Sequence, residues 1–338
     1  PKGQEVLAKV EALAADAYLR YGDLSPRGTA EHRGIAERMY AAWPEVFSTD
    51  GGRVCRVESR STLVPRCMLS MAAANERLKE LNPAIDITRE ASKRYLDYMF
   101  RMTEANKIKK EIKQRIAELR EREIDPSRFV RALVTDPSLV GNRKEQLRFM
   151  NDLYCVASVM QDDDYLDCSF YDLFTFDELC RFWECDNYTY YVEKGPDPRN
   201  RGRGTALAET LLDDIVSRAG EDMAAGEPSV RLRFGHDGCI MALLTLMRID
   251  GWTTPVTDPA KIKDVWQVHR IPMASNMQFV FYRNKKNPDD VLVRVLLNEK
   301  ELRLPLPGDR APYYRWEDFR DFYAGIVREA RLKLEATK

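Results

Sequence analysis

The stretch that most constrains the fold runs from Val230 to Trp252, VRLRFGHDGCIMALLTLMRIDGW. Val230 to Phe234 alternates apolar and basic residues, the period of a strand, and Ile240 to Ile249 is an almost unbroken apolar run that predicts a buried helix. Between them stand Gly235, His236, Asp237 and Gly238. A strand that turns straight into a helix leaves its turn residues in the crevice beyond the strand's carboxyl end, where open α/β sheets bind ligands. The helix's free N–H groups favour an anion there. An imidazole beside a carboxyl group at such a turn can hold a phosphate and pass a proton to a leaving oxygen. A capping aspartate next to a hydrogen-bonded histidine is the plainer alternative.

A second stretch has the same layout. RVESRSTLVPRCMLSMAAANERL (Arg56 to Leu78, within which Val57 to Met71 is the informative part) predicts a short strand, Arg60 in the turn, then a helix opened by Ser61 or Thr62 with Pro65 in its first turn. Arg66, farther along that helix, reads as a surface or structural arginine. Four pieces, LSPRGTAEHRGIAERMYAAWPEVF, VESRSTLVPRCMLSM, RFGHDG and the tail SNMQFVFYRN…VLVRVLLNEKELRLPLP, together resemble the histidine acid phosphatase branch of the histidine phosphatase superfamily, and within it the multiple inositol polyphosphate phosphatase (phytase-like) group.

The resemblance implies an α/β histidine phosphatase domain with an inserted all-helical cap. Residues 1–81 and 190–338 are expected to form the α/β domain and 82–189 the cap. It implies hydrolysis of phosphomonoesters, inositol polyphosphates such as phytate above all, through a phosphohistidine intermediate, with no metal and no cofactor. The implied roles are proton donation for Asp237 and phosphate binding for Arg60 and His236. A broad acid or sugar phosphatase, or a phosphate-binding member that has lost catalysis, are the alternatives.

Two departures stand out. No Arg-His-Gly occurs anywhere in the 338 residues, although the family's nucleophile lies in an RHGxRxP motif on its first strand. His32-Arg33-Gly34 has the wrong order and lies in a helical pattern, so it reads as a helix surface. The nucleophilic histidine is therefore expected upstream of Pro1. In addition, the inositol polyphosphate group often carries a glutamate proton donor where this chain has His-Asp-Gly.

Beyond these pieces, Gly3 to Tyr21 and the stretch opened by Ser25-Pro26 predict helices. Ile85 to Ile124, rich in Lys, Arg and Glu without Gly or Pro, predicts a long solvated helix or helix pair. Met277 to Tyr282 and Val291 to Leu297 predict an antiparallel hairpin, and Trp316 to Leu332 a closing helix. Lys110, in the KIKK run, and Arg203, in the Gly/Arg-rich loop 195–204, are candidate substrate contacts through their charge. The interleaved glutamates favour a plain solvated face for the first. That loop has neither the GxGxxG nor the GK[ST] order of a nucleotide site.

The charge is balanced, 53 basic against 54 acidic residues, which gives no overall attraction to nucleic acid or membrane; the family resemblance implies a small phosphorylated molecule as the partner. Seven cysteines, with Cys180 and Cys185 too widely spaced for a CxxC pair, and three histidines argue against a zinc site. The family resemblance implies a periplasmic or secreted protein. Oligomeric state is left open by the sequence.

Overall fold

The computed structural model describes residues 2–99, 101–226, 229–308 and 310–336. Three parallel strands, β1 (Arg56–Ser61), β2 (Asp86–Ala91) and β3 (Ser229–Phe234), form one sheet in the order β2-β1-β3. In β1 the side chains of Val57, Ser59 and Ser61 are buried. The intervening Glu58 and Arg60 point to the other face, as the two-residue period requires. Arg60 lies opposite Arg233 on β3 and Glu90 on β2.

A second sheet contains the expected hairpin, β4 (Met277–Arg283) against β5 (Val291–Leu297), extended by β6 (Lys300–Glu301) and β7 (Tyr314–Arg315). Helices fill the rest. The helix Pro26–Ala42 begins where Ser25 Oγ accepts the Gly28 N–H at 3.0 Å. This is the cap that Ser-Pro announces. The first helix is shorter than expected, Gly3–Asp16, because the chain turns through Leu19 and Gly22, both at positive φ.

Two expectations need correction. Residues 86–91 are a strand and not the start of a helix; the helices Lys93–Met99 and Met102–Glu123 follow it. The boundary drawn at 82 therefore falls before a strand of the main sheet. The helix Pro65–Leu81 is capped by the backbone of Val64 with no side-chain bond. Ser61 ends β1, and Thr62 is wholly buried in the turn.

A small hydrophobic cluster (Ala36, Phe47, Val57, Leu78, Ile85) joins the helices Pro26–Ala42 and Pro65–Leu81 to one face of the first sheet. The large cluster runs without interruption from Tyr95 and Phe182 in the helical region to Leu244, Val293 and Phe319. The helical region thus shares its core with the second sheet and the C-terminal helix Trp316–Glu335.

Candidate active site

The turns after β1 and β3 meet at the carboxyl ends of their strands. His236 precedes the helix Asp237–Leu246 with extended backbone, φ −126° and ψ 154°, and its side chain makes no cap bond. The imidazole is thus free to face the neighbouring turn. Its Nε2 lies 3.4 Å from Thr62 Oγ1 and its Nδ1 4.0 Å from Cys67 Sγ. The Cys67 thiol donates to the Gly235 carbonyl at 3.1 Å, and the Thr62 N–H to the Phe234 carbonyl at 3.2 Å. Two sequence-distant turns are thereby stitched together around one ring.

Arg66, His236 and Asp237 all line a cavity of about 1240 Å³. Arg66 makes no ion pair among the described residues, and its backbone N–H donates to the Gly22 carbonyl at 3.0 Å. Burial, and after it the Arg66 charge, hold the His236 imidazole below its ordinary value, while Asp237 pulls the other way. An unpaired guanidinium beside a neutral imidazole at a helix N-terminus is a receptor for an oxyanion.

Behind Asp237 the helix Phe176–Lys194 packs with Tyr190 and Lys194 on one face. Burial and the Asp237 carboxylate push the Tyr190 phenol above its usual value. Lys194, only 6% exposed, pairs with Glu193 at 2.5 Å and sits 4.6 Å from the Tyr190 ring centre. Its stem fits against Gly238, where a Cβ would stand 2.5 Å from Lys194 Cε. This glycine is a requirement of close approach.

The structure does not bring the other sequence candidates here. Arg60 lies on β1, not in a turn, and its guanidinium is 15% exposed on the opposite face of the sheet, bonded to Glu58 at 2.7 Å, near Glu90 at 3.6 Å and over the Tyr95 ring. Its charge is neutralised by these carboxylates. Arg203, 13% exposed, is held by Glu104 at 2.7 Å and Glu111 at 2.8 Å. These are one heptad apart on the helix Met102–Glu123 and bracket it. Lys110 is exposed on that helix, outside the cavity wall. Arg66, read from sequence as a surface or structural arginine, lines the cavity with His236, and Arg60 does not. The available signal was Pro65 at the first helical position, which puts Arg66 in the first turn, where anions bind. His32 is partly buried and lines the cavity edge-on to Phe234, with ring centroids 6.3 Å apart, so it is more than a helix surface.

One further feature concerns the sheets. Among the described residues β3 pairs only with β1, and β4 only with β5. Both free edges run their full length along the same cavity. Unpaired backbone N–H and C=O groups flanked by Leu232, Phe234, Phe279 and Phe281 form a seat for an added strand.

A profile of the histidine phosphatase superfamily, branch 2, matches residues 68–298. The chain belongs to that family. Among solved structures it is similar to the multiple inositol polyphosphate phosphatase of Bifidobacterium longum in complex with inositol hexasulfate, at 18% identity and a TM-score of 0.73 over 95% of this chain and 83% of that one. It is also similar to the phytase of Klebsiella sp. ASR1, at 12% identity and a TM-score of 0.56 over 96% and 92%. The phytase of Citrobacter braakii gives 11% identity and a TM-score of 0.55 over 90% and 88%. These likenesses are of fold. A search of curated proteins finds no match. No helix among the described residues is long and apolar enough to cross a membrane, and all seven cysteines are free.

Proposed function

We propose that the protein hydrolyses phosphomonoesters, with inositol polyphosphates such as phytate as the substrate class, through a phosphohistidine intermediate. The observation that carries this reading is the convergence of Arg66, His236 and Asp237 on one cavity, with Arg66 unpaired by any carboxylate among the described residues. Arg66 and His236 would neutralise the phosphoryl oxygens, which is the main electrostatic demand of a phosphate ester under attack. Asp237, exposed at the first helical position, would donate its proton to the ester oxygen as the P–O bond breaks and then take one from the attacking water.

The nucleophile belongs to the same proposal. Of the three histidines, His236 is committed to phosphate, His32 packs on Phe234, and His269 stacks on Trp183 with ring centroids 5.5 Å apart. The free edges of β3 and β4 would seat a strand from outside residues 1–338, and a histidine at its carboxyl end would face Arg66. By the family resemblance, such a protein would be exported to the periplasm or medium.

A second reading, a phosphate-ligand-binding member without catalysis, would hold if the strand that completes the site lacked the Arg-His-Gly residues. Phosphate release from phytate by the protein as its own gene encodes it separates the two. Turnover that falls by about 10²–10⁴ in Asp237→Asn is the expected result. An Asp237→Asn protein as fast as wild type sinks the proposed proton donor, and no turnover in wild type supports the binding reading.

A further inference from the structure

We propose that Thr62 is a positioning residue that holds His236 in the tautomer protonated on Nδ1, so that an arriving oxyanion binds with uptake of a proton at Nε2. The naming of His236 as an oxyanion ligand rests on the function proposed above; the tautomer itself does not.

The argument follows from where each hydrogen is spent. The Cys67 thiol already donates to the Gly235 carbonyl at 3.1 Å, so the sulfur it turns toward Nδ1, 4.0 Å away, can only accept. A neutral imidazole carries one N–H. If that hydrogen is on Nδ1 it meets an acceptor, and Nε2 is left as a lone pair facing Thr62 Oγ1 at 3.4 Å. The Thr62 hydroxyl, at 0% exposure, then has a ring nitrogen to receive its hydrogen, a stronger acceptor than the Cys67 sulfur that is also within its reach. The opposite tautomer would place two lone pairs against each other at Nδ1 and sulfur. The fixed turn keeps this geometry, since Thr62 N–H is bonded to the Phe234 carbonyl.

The charged and titratable groups around the ring are Arg66 and Cys67 from the helix Pro65–Leu81, and Asp237 and Cys239 from the helix that His236 begins. Arg66 opposes a second positive charge on His236 while the site is empty. An oxyanion bound between them removes that opposition. The ring then takes a proton on Nε2, exchanges Thr62 for the anion as its partner, and presents an imidazolium N–H to the phosphoryl oxygen. Thr62 thus keeps a second positive charge out of the empty site.

The chain holds only three histidines, which makes the test direct. Histidine labelled with ¹⁵N is incorporated, and the His236 ring signals are assigned by their loss in His236→Gln. Wild type is expected to show a protonated Nδ1 and an imine-type Nε2 at neutral pH. Thr62→Val should shift population toward the Nε2-protonated form, and Thr62→Ser should restore it. A wild-type ring protonated on Nε2, or a tautomer unchanged in Thr62→Val, overturns the proposal. Should Thr62→Val not fold, Cys67→Ala, which removes the acceptor at Nδ1 together with the thiol's bond to the Gly235 carbonyl, provides the same reading: the share of the Nδ1-protonated form must fall, and an unchanged share refutes the clamp. None of these readings requires turnover, so they stand apart from the Asp237→Asn assay. Failure there with the tautomer as stated would sink the proposed function alone.

Discussion

Arg60 and Arg66 lie six positions apart at the same strand–turn–helix unit and have opposite fates. On the face of the first sheet that Arg60 shares, Arg231 bonds Glu58 and Asp222, Arg233 bonds Asp214 at 2.6 Å, and Arg60 itself bonds Glu58. Every arginine named there has a carboxylate partner. Arg66, at the end of the unit, faces a cavity with His236 and has none among the described residues. A half-buried cation with its own counter-ion is structural cement, whereas an exposed one with no carboxylate partner beside a ligand-sized space is open to an anion.

That contrast can be broken by exchange. Arg66→Ala is expected to lower kcat/KM for a phosphomonoester by about 10²–10³, the loss typical of one oxyanion donor, with little change in thermal midpoint. A fall in stability without a fall in rate would reverse the two roles. Arg60→Ala should do the opposite, costing up to about 1 kcal/mol of stability, because Glu58 keeps Arg231 and the half-exposed Glu90 keeps Tyr95. A denaturant titration measures this, and activity per folded molecule should stay within a few-fold. Arg203→Ala belongs with Arg60, because Glu104 and Glu111 would lose their shared cation.

The histidines sharpen the comparison on the acid side. Burial holds His32 below the ordinary imidazole value. The unfolded chain therefore binds more protons than the folded one as the pH falls below about 6.5, and stability declines with falling pH in that window. His32→Phe should flatten that decline in a series of thermal midpoints between neutral and mildly acid pH; an unchanged slope would show that His32 does not titrate with folding. The smallest effect is expected at Lys110, exposed on a solvated helix. Lys110→Ala should move stability by no more than about 0.5 kcal/mol and leave phytate turnover as it was, and a clear rise in KM would put the helical region back into substrate binding.

Much of the fold was legible because its signals are local. Ser25-Pro26 announces a helix start through a single side-chain bond, β3 through alternation of apolar and basic residues, and the β4–β5 hairpin through two apolar runs around an Asn-Pro-Asp turn. β2 escaped notice because five of the six residues of DITREA are exposed and only Ile87 is partly buried. An edge strand of this kind has no buried face to impose a period, and its Thr, Arg and Glu run on smoothly into the charged helices that follow. The helical region's shared core was equally invisible, since membership of Phe182 and the strand residue Val293 in one cluster leaves no mark on either segment alone.

The same division holds at the site. Strand, sharp turn and apolar helix in one short stretch brought His236 and Asp237 forward as candidates, and the family resemblance supplied their proposed roles. Which arginine joins them was decided only in three dimensions. Glu58 already shares Arg60's strand face through the two-residue period, but Glu90 is thirty positions away and comes beside Arg60 only when β2 pairs with β1. A guanidinium's role depends on whether a carboxylate reaches it, and that is a property of packing between segments, not of the sequence around the arginine.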